Sequence, residues 1–177
     1  MIVSIICGLV SLIALIALII KINSDRLNFY NTKIFEAEKE LQTLLERKFS
    51  LLSELQNKFS EQNSEVEFNL LCNMEDIEDD DFMLNAILNK AYRELKNFLD
   101  ERRNYIPDDD TKELIKHLYE VDVECIAVKN YYNENTTILN SLINKFMNNT
   151  IAKFQKIYKK ELYNDPIEEE FEILKKK

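Results

Sequence analysis

The sequence predicts an all-α protein with an N-terminal transmembrane helix followed by an antiparallel up-down-up bundle of long helices. Three observations carry this. The chain has one Gly and two Pro in 177 residues, far below the usual roughly 7% and 5%. Sheets need turn residues at short intervals, and this composition cannot supply them. Ile2 to Ile20 holds no charged residue, with Ser4 and Ser11 as its only polar side chains. Beyond it, apolar residues recur at helical spacing in three long stretches.

Residues 1–20 are read as an uncleaved anchor. About nineteen residues at helical rise span roughly 29 Å, which matches the roughly 30 Å hydrocarbon core of a bilayer. Gly8 is tolerated there because its neighbours still close every backbone hydrogen bond. A signal peptide would need a basic leading region and a small-residue cleavage site, and neither is present. Cys7 sits too near the start for a lipoprotein cleavage box.

The remainder, 21–163, reads as the bundle, with helices at about 23–63, 64–103 and 111–147 and a short one at 150–162. In the first, Leu27, Tyr30, Ile34, Ala37, Leu41, Leu44, Leu51, Leu55 and Phe59 form a stripe. Lys48 is its one polar slot, and its aliphatic stem can lie along the apolar face. Nothing between Ile20 and Leu27 breaks the helix, so the anchor should run straight into it. Asn63-Ser64 offers a turn and an N-cap, with Glu67 placed as in a capping box.

The second stripe is Val66, Leu70, Met74, Ile77, Leu84, Leu88, Ala91, Leu95 and Phe98. The acidic run 75–81 interrupts it without shifting its heptad phase, so the sequence leaves open whether the helix breaks there. Pro107 ends the segment, and Asp108 to Asp110 supply capping carboxylates for the third. Leu114, Leu118, Val121, Cys125, Val128, Tyr132, Asn135, Leu139, Leu142 and Phe146 then follow steps of four and three. Asp165-Pro166 ends the short fourth piece, and 164–177 reads as a charged, frayed tail.

The net charge of −9 lies wholly beyond the anchor, which disfavours nucleic acid and anionic lipid as default partners. Cys7, Cys72 and Cys125 are odd in number and lack metal-ligand spacing, as expected of small buried residues in a reducing compartment.

Four features are candidate sites. The acidic run has oxygen ligands for a divalent cation, but no Gly for a calcium loop, and reads as solvated charge. His117 is the only histidine; phosphotransfer bundles use a lone helical His, yet here it borders the stripe like an ordinary boundary residue. Asn135, flanked by Asn133 and Asn140, lies in the third stripe and is expected to fix helix register. Ile151, Phe154, Ile157, Tyr158 and Leu162 alternate with Lys153, Lys156, Lys159 and Lys160 in the manner of a membrane-surface helix. Three helices away from the anchor, that segment is expected at the end distal to the bilayer, packed across the bundle. No catalytic, cofactor-binding or metal residues are assigned, and no enzyme is expected.

Tyr131-Tyr132-Asn133-Glu134-Asn135-Thr136-Thr137-Ile138-Leu139-Asn140 resembles the bacterial LemA family. Its members carry a Phe/Tyr-Tyr-Asn motif, a second Asn seven residues later and a downstream Asn-Leu-Ile-Ala segment, here Asn149-Thr150-Ile151-Ala152. Tyr30-Asn31 and the stretch through Leu45-Glu46-Arg47-Lys48 resemble the family's first-helix motif. The chain departs from the pattern where Lys153-Phe154-Gln155-Lys156-Ile157 replaces a glycine-rich element. The resemblance implies a short membrane span and long antiparallel helices, and brings no reaction, cofactor or catalytic residue.

The expected function is a single-pass membrane protein displaying a bundle, coiled-coil-like in its stripes, for protein–protein interaction. Its partners would be unidentified proteins, a second copy of the chain included. The alternative is a signalling or phosphotransfer bundle using His117. No Lys or Arg precedes the span, whereas Lys21, Arg26, Lys33 and Lys39 follow it. The positive-inside rule therefore places the N-terminus outside and the bundle in the cytoplasm.

Overall fold

The computed structural model describes residues 2–62, 81–101 and 107–163. It contains α1 (Ile2–Gln62), α2 (Asp81–Glu101), α3 (Asp109–Ile143) and α4 (Phe146–Phe154), and no strand among the described residues. The all-α class holds. The apolar N-terminal stretch and the first bundle helix are one uninterrupted helix, as the absence of any breaker between them requires. One helix is thus long and apolar enough to cross a membrane, with none of its apolar window buried inside the protein. The turn at 63–64, most of the acidic run 75–81, Cys72 and the tail 164–177 lie outside the described residues.

The chain divides into two compact units. Unit 1 comprises Met1–Glu38 and Asn130–Leu162; unit 2 comprises Lys39–Lys129 and Tyr163–Lys177.

In unit 2, segments of α1, α2 and α3 bury Leu41, Leu45, Leu52, Leu55, Phe59, Leu88, Ala91, Leu95, Leu118, Val121 and Cys125. Leu51 is only half-buried, because the stripe on α1 runs Leu45, Lys48, Leu52, Leu55, Phe59 in steps of three and four. Lys48 is a member of the stripe rather than a gap in it. Asp108 caps α3 by accepting from the Thr111 backbone N–H at 2.7 Å. Residue pairs give the helix directions. Lys48 meets Asp122 while Lys58 meets Asp110, so α1 and α3 are antiparallel. Lys48 meets Asn89 while Phe59 meets Phe98, so α1 and α2 run parallel.

The expected up-down-up order is therefore not what these contacts show; the three described segments run up, up and down. The expectation rested on three segments of similar length joined by short turns, and hydrophobic phase fixes which face is buried but says nothing about direction along the axis.

In unit 1, α1 contributes Leu27, Ile34 and Ala37 to a core shared with Tyr132, Leu139, Leu142, Ile143, Ala152 and Ile157. Lys33 lies over the Tyr131 ring, and Gln155 beyond the end of α3 bonds to Ser24, so α3 descends toward the N-terminal part of α1. α3 ends at Ile143, earlier than expected. The turn at Asn144 and Lys145 then swings Phe146 out of the stripe, leaving it 93% exposed instead of buried.

The fourth helix covers Phe146–Phe154, whereas the sequence suggests 150–162. It closes with paired hydrogen bonds, Ile157 N–H to Ala152 C=O at 2.8 Å and Lys156 N–H to Lys153 C=O at 3.2 Å. This arrangement needs a left-handed residue, usually glycine, and Lys156 takes that role at φ 57°. Residues 157–163 continue as a non-helical strap.

Candidate functional site

A buried polar cluster lies inside unit 2, around Lys48. A lysine at a core position of an amphipathic helix must either snorkel to water or find partners. Lys48 does the second: its side chain is 0% exposed. Its Nζ donates to Asp122 Oδ1 at 2.6 Å and to Asn89 Oδ1 at 2.9 Å, and sits 5.2 Å from the centre of the Tyr92 ring. Three helices thus converge on one ammonium, whose donors are directed at a carboxylate, an amide and a ring face. An ammonium so occupied and sealed holds helices in place and offers no lone pair to a substrate.

The neighbours feel that cluster. Burial pushes the Tyr92 hydroxyl up, with the Asp122 carboxylate and Tyr119 adding to the effect. Burial likewise raises the Cys125 thiol, opposed by Lys48 and assisted by Asp122. Cys125 is therefore a small buried apolar residue, as expected, and far from a reactive thiolate.

Beside the cluster, α2 and α3 frame a cleft of about 370 Å³. Leu95, Leu99, Ile115 and Leu118 give it an apolar floor, and Tyr92 and Tyr119 line it with phenol rings. Lys96, Lys112 and Lys116 complete the lining, which includes no carboxylate. Lys112 and Lys116 form exposed ion pairs with Asp109 and Glu120, and such pairs contribute little and exchange readily. The cleft's size lies within the range of small-molecule and peptide-anchor pockets.

His117 is half-buried on α3, consistent with a stripe-boundary position. Among the described residues no three His, Cys, Asp or Glu side chains are grouped to hold a metal. Asn135 is buried, but its Nδ2 donates to Tyr131 C=O of its own helix at 2.7 Å. Asn140, which flanks it, ties α3 to the segment after α4. It donates to Lys160 C=O at 2.8 Å and accepts from Lys160 N–H at 3.1 Å, clamping the strap onto α3. Tyr132 adds a bond from its hydroxyl to Glu161 C=O at 3.0 Å, and Lys160 pairs with Glu38 at 2.7 Å.

The basic segment beyond α3 contradicts its expected location. Gln155 bonds Ser24, so α4 lies beside the start of the bundle part of α1 and not at a distal end. The cause is α3, which descends toward the N-terminal part of α1.

Sequence reasoning missed the Lys48 cluster and the cleft. The signal for the first was present, in a lysine at a core phase and an aspartate flanking the third stripe. Pairing them required the helix directions. Comparison with models of protein families gives no match, and no curated protein and no solved structure matches the chain.

Proposed function

We propose that this chain is a LemA-like single-pass membrane protein whose cytoplasmic helical bundle binds other proteins. The observation that carries the reading is α1. Side chains from Ile6 to Ile20, including Leu9, Val10, Ile13 and Leu15, are exposed in a helix that continues without a joint into a folded core. An apolar surface of that length is covered by hydrocarbon rather than water. The basic residues that follow the span support a cytoplasmic bundle.

Binding rather than catalysis is favoured because the Lys48 ammonium of unit 2 is buried and its donors are taken up by Asp122 and Asn89. The lysine-bordered cleft suits a partner's amphipathic segment that brings apolar anchors and carboxylates. A photo-crosslinking residue in place of Tyr119 tests this in intact cells, with one in place of Phe35, exposed on α1 within unit 1, as the control. Discrete adducts from the cleft position that vanish with Lys96→Glu and Lys116→Glu support the reading. Identical adduct patterns from both positions, or adducts indifferent to the charge reversals, overturn it. A membrane-impermeant thiol reagent checks orientation once Cys7 is replaced and Lys176→Cys is introduced. Labelling before lysis would place the bundle outside.

A further inference from the structure

We infer that α4 is a second, peripheral membrane contact, lying in the headgroup layer beside the span and selecting anionic lipid. The inference rests on the reading that residues 1–20 cross the bilayer, and three independent features converge on it.

The first is exposure. Phe146 and Phe154 are 93% and 90% exposed. They lie eight residues apart, about 2.2 turns, and therefore share one face of α4. The opposite face is committed, since Asn148 and Ala152 are buried in unit 1. A nine-residue helix that buries an asparagine and an alanine and turns two phenylalanines outward is built to place those rings in something other than water. Tyr158 extends the exposed aromatic surface just beyond the helix.

The second is position. Gln155 bonds to Ser24, and Ser24 is only four residues, or about 6 Å of helix, beyond Ile20. Each interfacial layer of a bilayer is roughly 5–7 Å thick. α4 is therefore tied to α1 within the headgroup layer, from which its apolar face can reach the headgroup–acyl boundary where interfacial helices bury theirs.

The third is charge. The chain carries net −9, yet residues 145–160 hold five lysines and no carboxylate. Lys160 is engaged with Glu38. Lys145, Lys153, Lys156 and Lys159, on α4 and the residues flanking it, are exposed. Exposed phenylalanines with exposed lysines close in sequence match an anionic lipid surface. The same lysines would repel the identical segment of a second copy, which argues against self-association there.

The sequence contains no Trp, so a single tryptophan reports on its own surroundings. The full chain is reconstituted into phosphatidylcholine vesicles, with or without phosphatidylglycerol, carrying lipid brominated either high or deep in the acyl chain. Leu12→Trp reports the span and Phe154→Trp reports α4. The expected result is deep quenching of Leu12→Trp in both lipids. Phe154→Trp should show blue-shifted emission with shallow quenching, stronger with phosphatidylglycerol and lost on adding Lys153→Glu and Lys159→Glu. If Leu12→Trp is quenched while Phe154→Trp emits as in water, the anchor stands and this inference falls. A Phe154→Trp blue shift that follows protein density without bromine quenching marks self-association, which also overturns it. An unquenched Leu12→Trp removes the anchor reading and the inference with it.

Discussion

The Lys48 cluster makes a quantitative prediction about what holds unit 2 together. Replacing Lys48 with Met keeps the stem's bulk and apolar packing while deleting the ammonium. Asp122 then keeps its charge without its 2.6 Å partner, and Asn89 Oδ1 loses its donor. Breaking a buried pair from one side costs about 3–5 kcal/mol. The Asp122 side chain is 15% exposed, so water can recover part of that, and the expected loss is about 2–4 kcal/mol. Removing both charges gives a different answer. Lys48→Met with Asp122→Leu leaves no orphaned ion, and exchanging a buried pair for apolar residues is often neutral or stabilising. The double variant should lie within about 1 kcal/mol of the parent. Urea unfolding of residues 23–177 followed by circular dichroism measures all four corners of the cycle. If Lys48→Met shifts stability by under about 0.5 kcal/mol, or the double variant loses the sum of the singles, the ammonium is not what Asp122 depends on.

Three further outcomes follow from unit 1 and from Tyr92 and Tyr132. Lys156→Gly should stabilise the chain by about 1 kcal/mol, because a side chain in the left-handed region carries a penalty that glycine avoids; a thermal melt that moves down would contradict the assigned backbone. Asn140→Leu removes both bonds to Lys160 and should cost about 1–2 kcal/mol. It should also speed hydrogen exchange at the Lys160 amide, and unchanged exchange would show the strap is held elsewhere. Burial raises the Tyr92 and Tyr132 hydroxyls, with Asp122 and Glu38 respectively adding to it. A group whose folded value lies above its unfolded one stabilises fully below the unfolded value, near 10, and loses that contribution as pH rises through the folded one. Stability should therefore fall above about pH 10, and Tyr92→Phe with Tyr132→Phe should flatten the fall; an unaltered slope would refute the assignment.

What the sequence made legible was whatever depends on local periodicity. The absence of turn residues excluded sheets, and the lack of any breaker between Ile20 and Leu27 made α1 one helix. Asp108 was readable as a cap because capping acts over three residues. The third stripe was right at Leu118, Val121, Cys125, Tyr132, Asn135, Leu139 and Leu142. It failed at Phe146, where the helix had already ended. Nothing local announced that end, since Asn144-Lys145 is a turn here without Gly or Pro. Lys156 concealed the next one in the same way, adopting a conformation that glycine would have advertised. The direction of α2 was beyond reach, because a hydrophobic stripe reads the same in either sense.

Direction matters more to function than the buried list does. With a third helix ending far from the span, a basic segment after it is most simply a plug over exposed core. With α3 descending beside α1, the same residues arrive at Ser24, close to where the apolar stretch ends. The strap then leads from that point back along α3, fixed by Asn140 at Lys160 and by Tyr132 at Glu161. These bonds hold the strap to α3, while the Gln155–Ser24 bond ties the end of α4 to α1. A helix held at that place with Phe146 and Phe154 turned outward is stabilised if their surroundings are apolar. Water is not, and the surface nearest to Ser24 in a spanning chain is the bilayer itself.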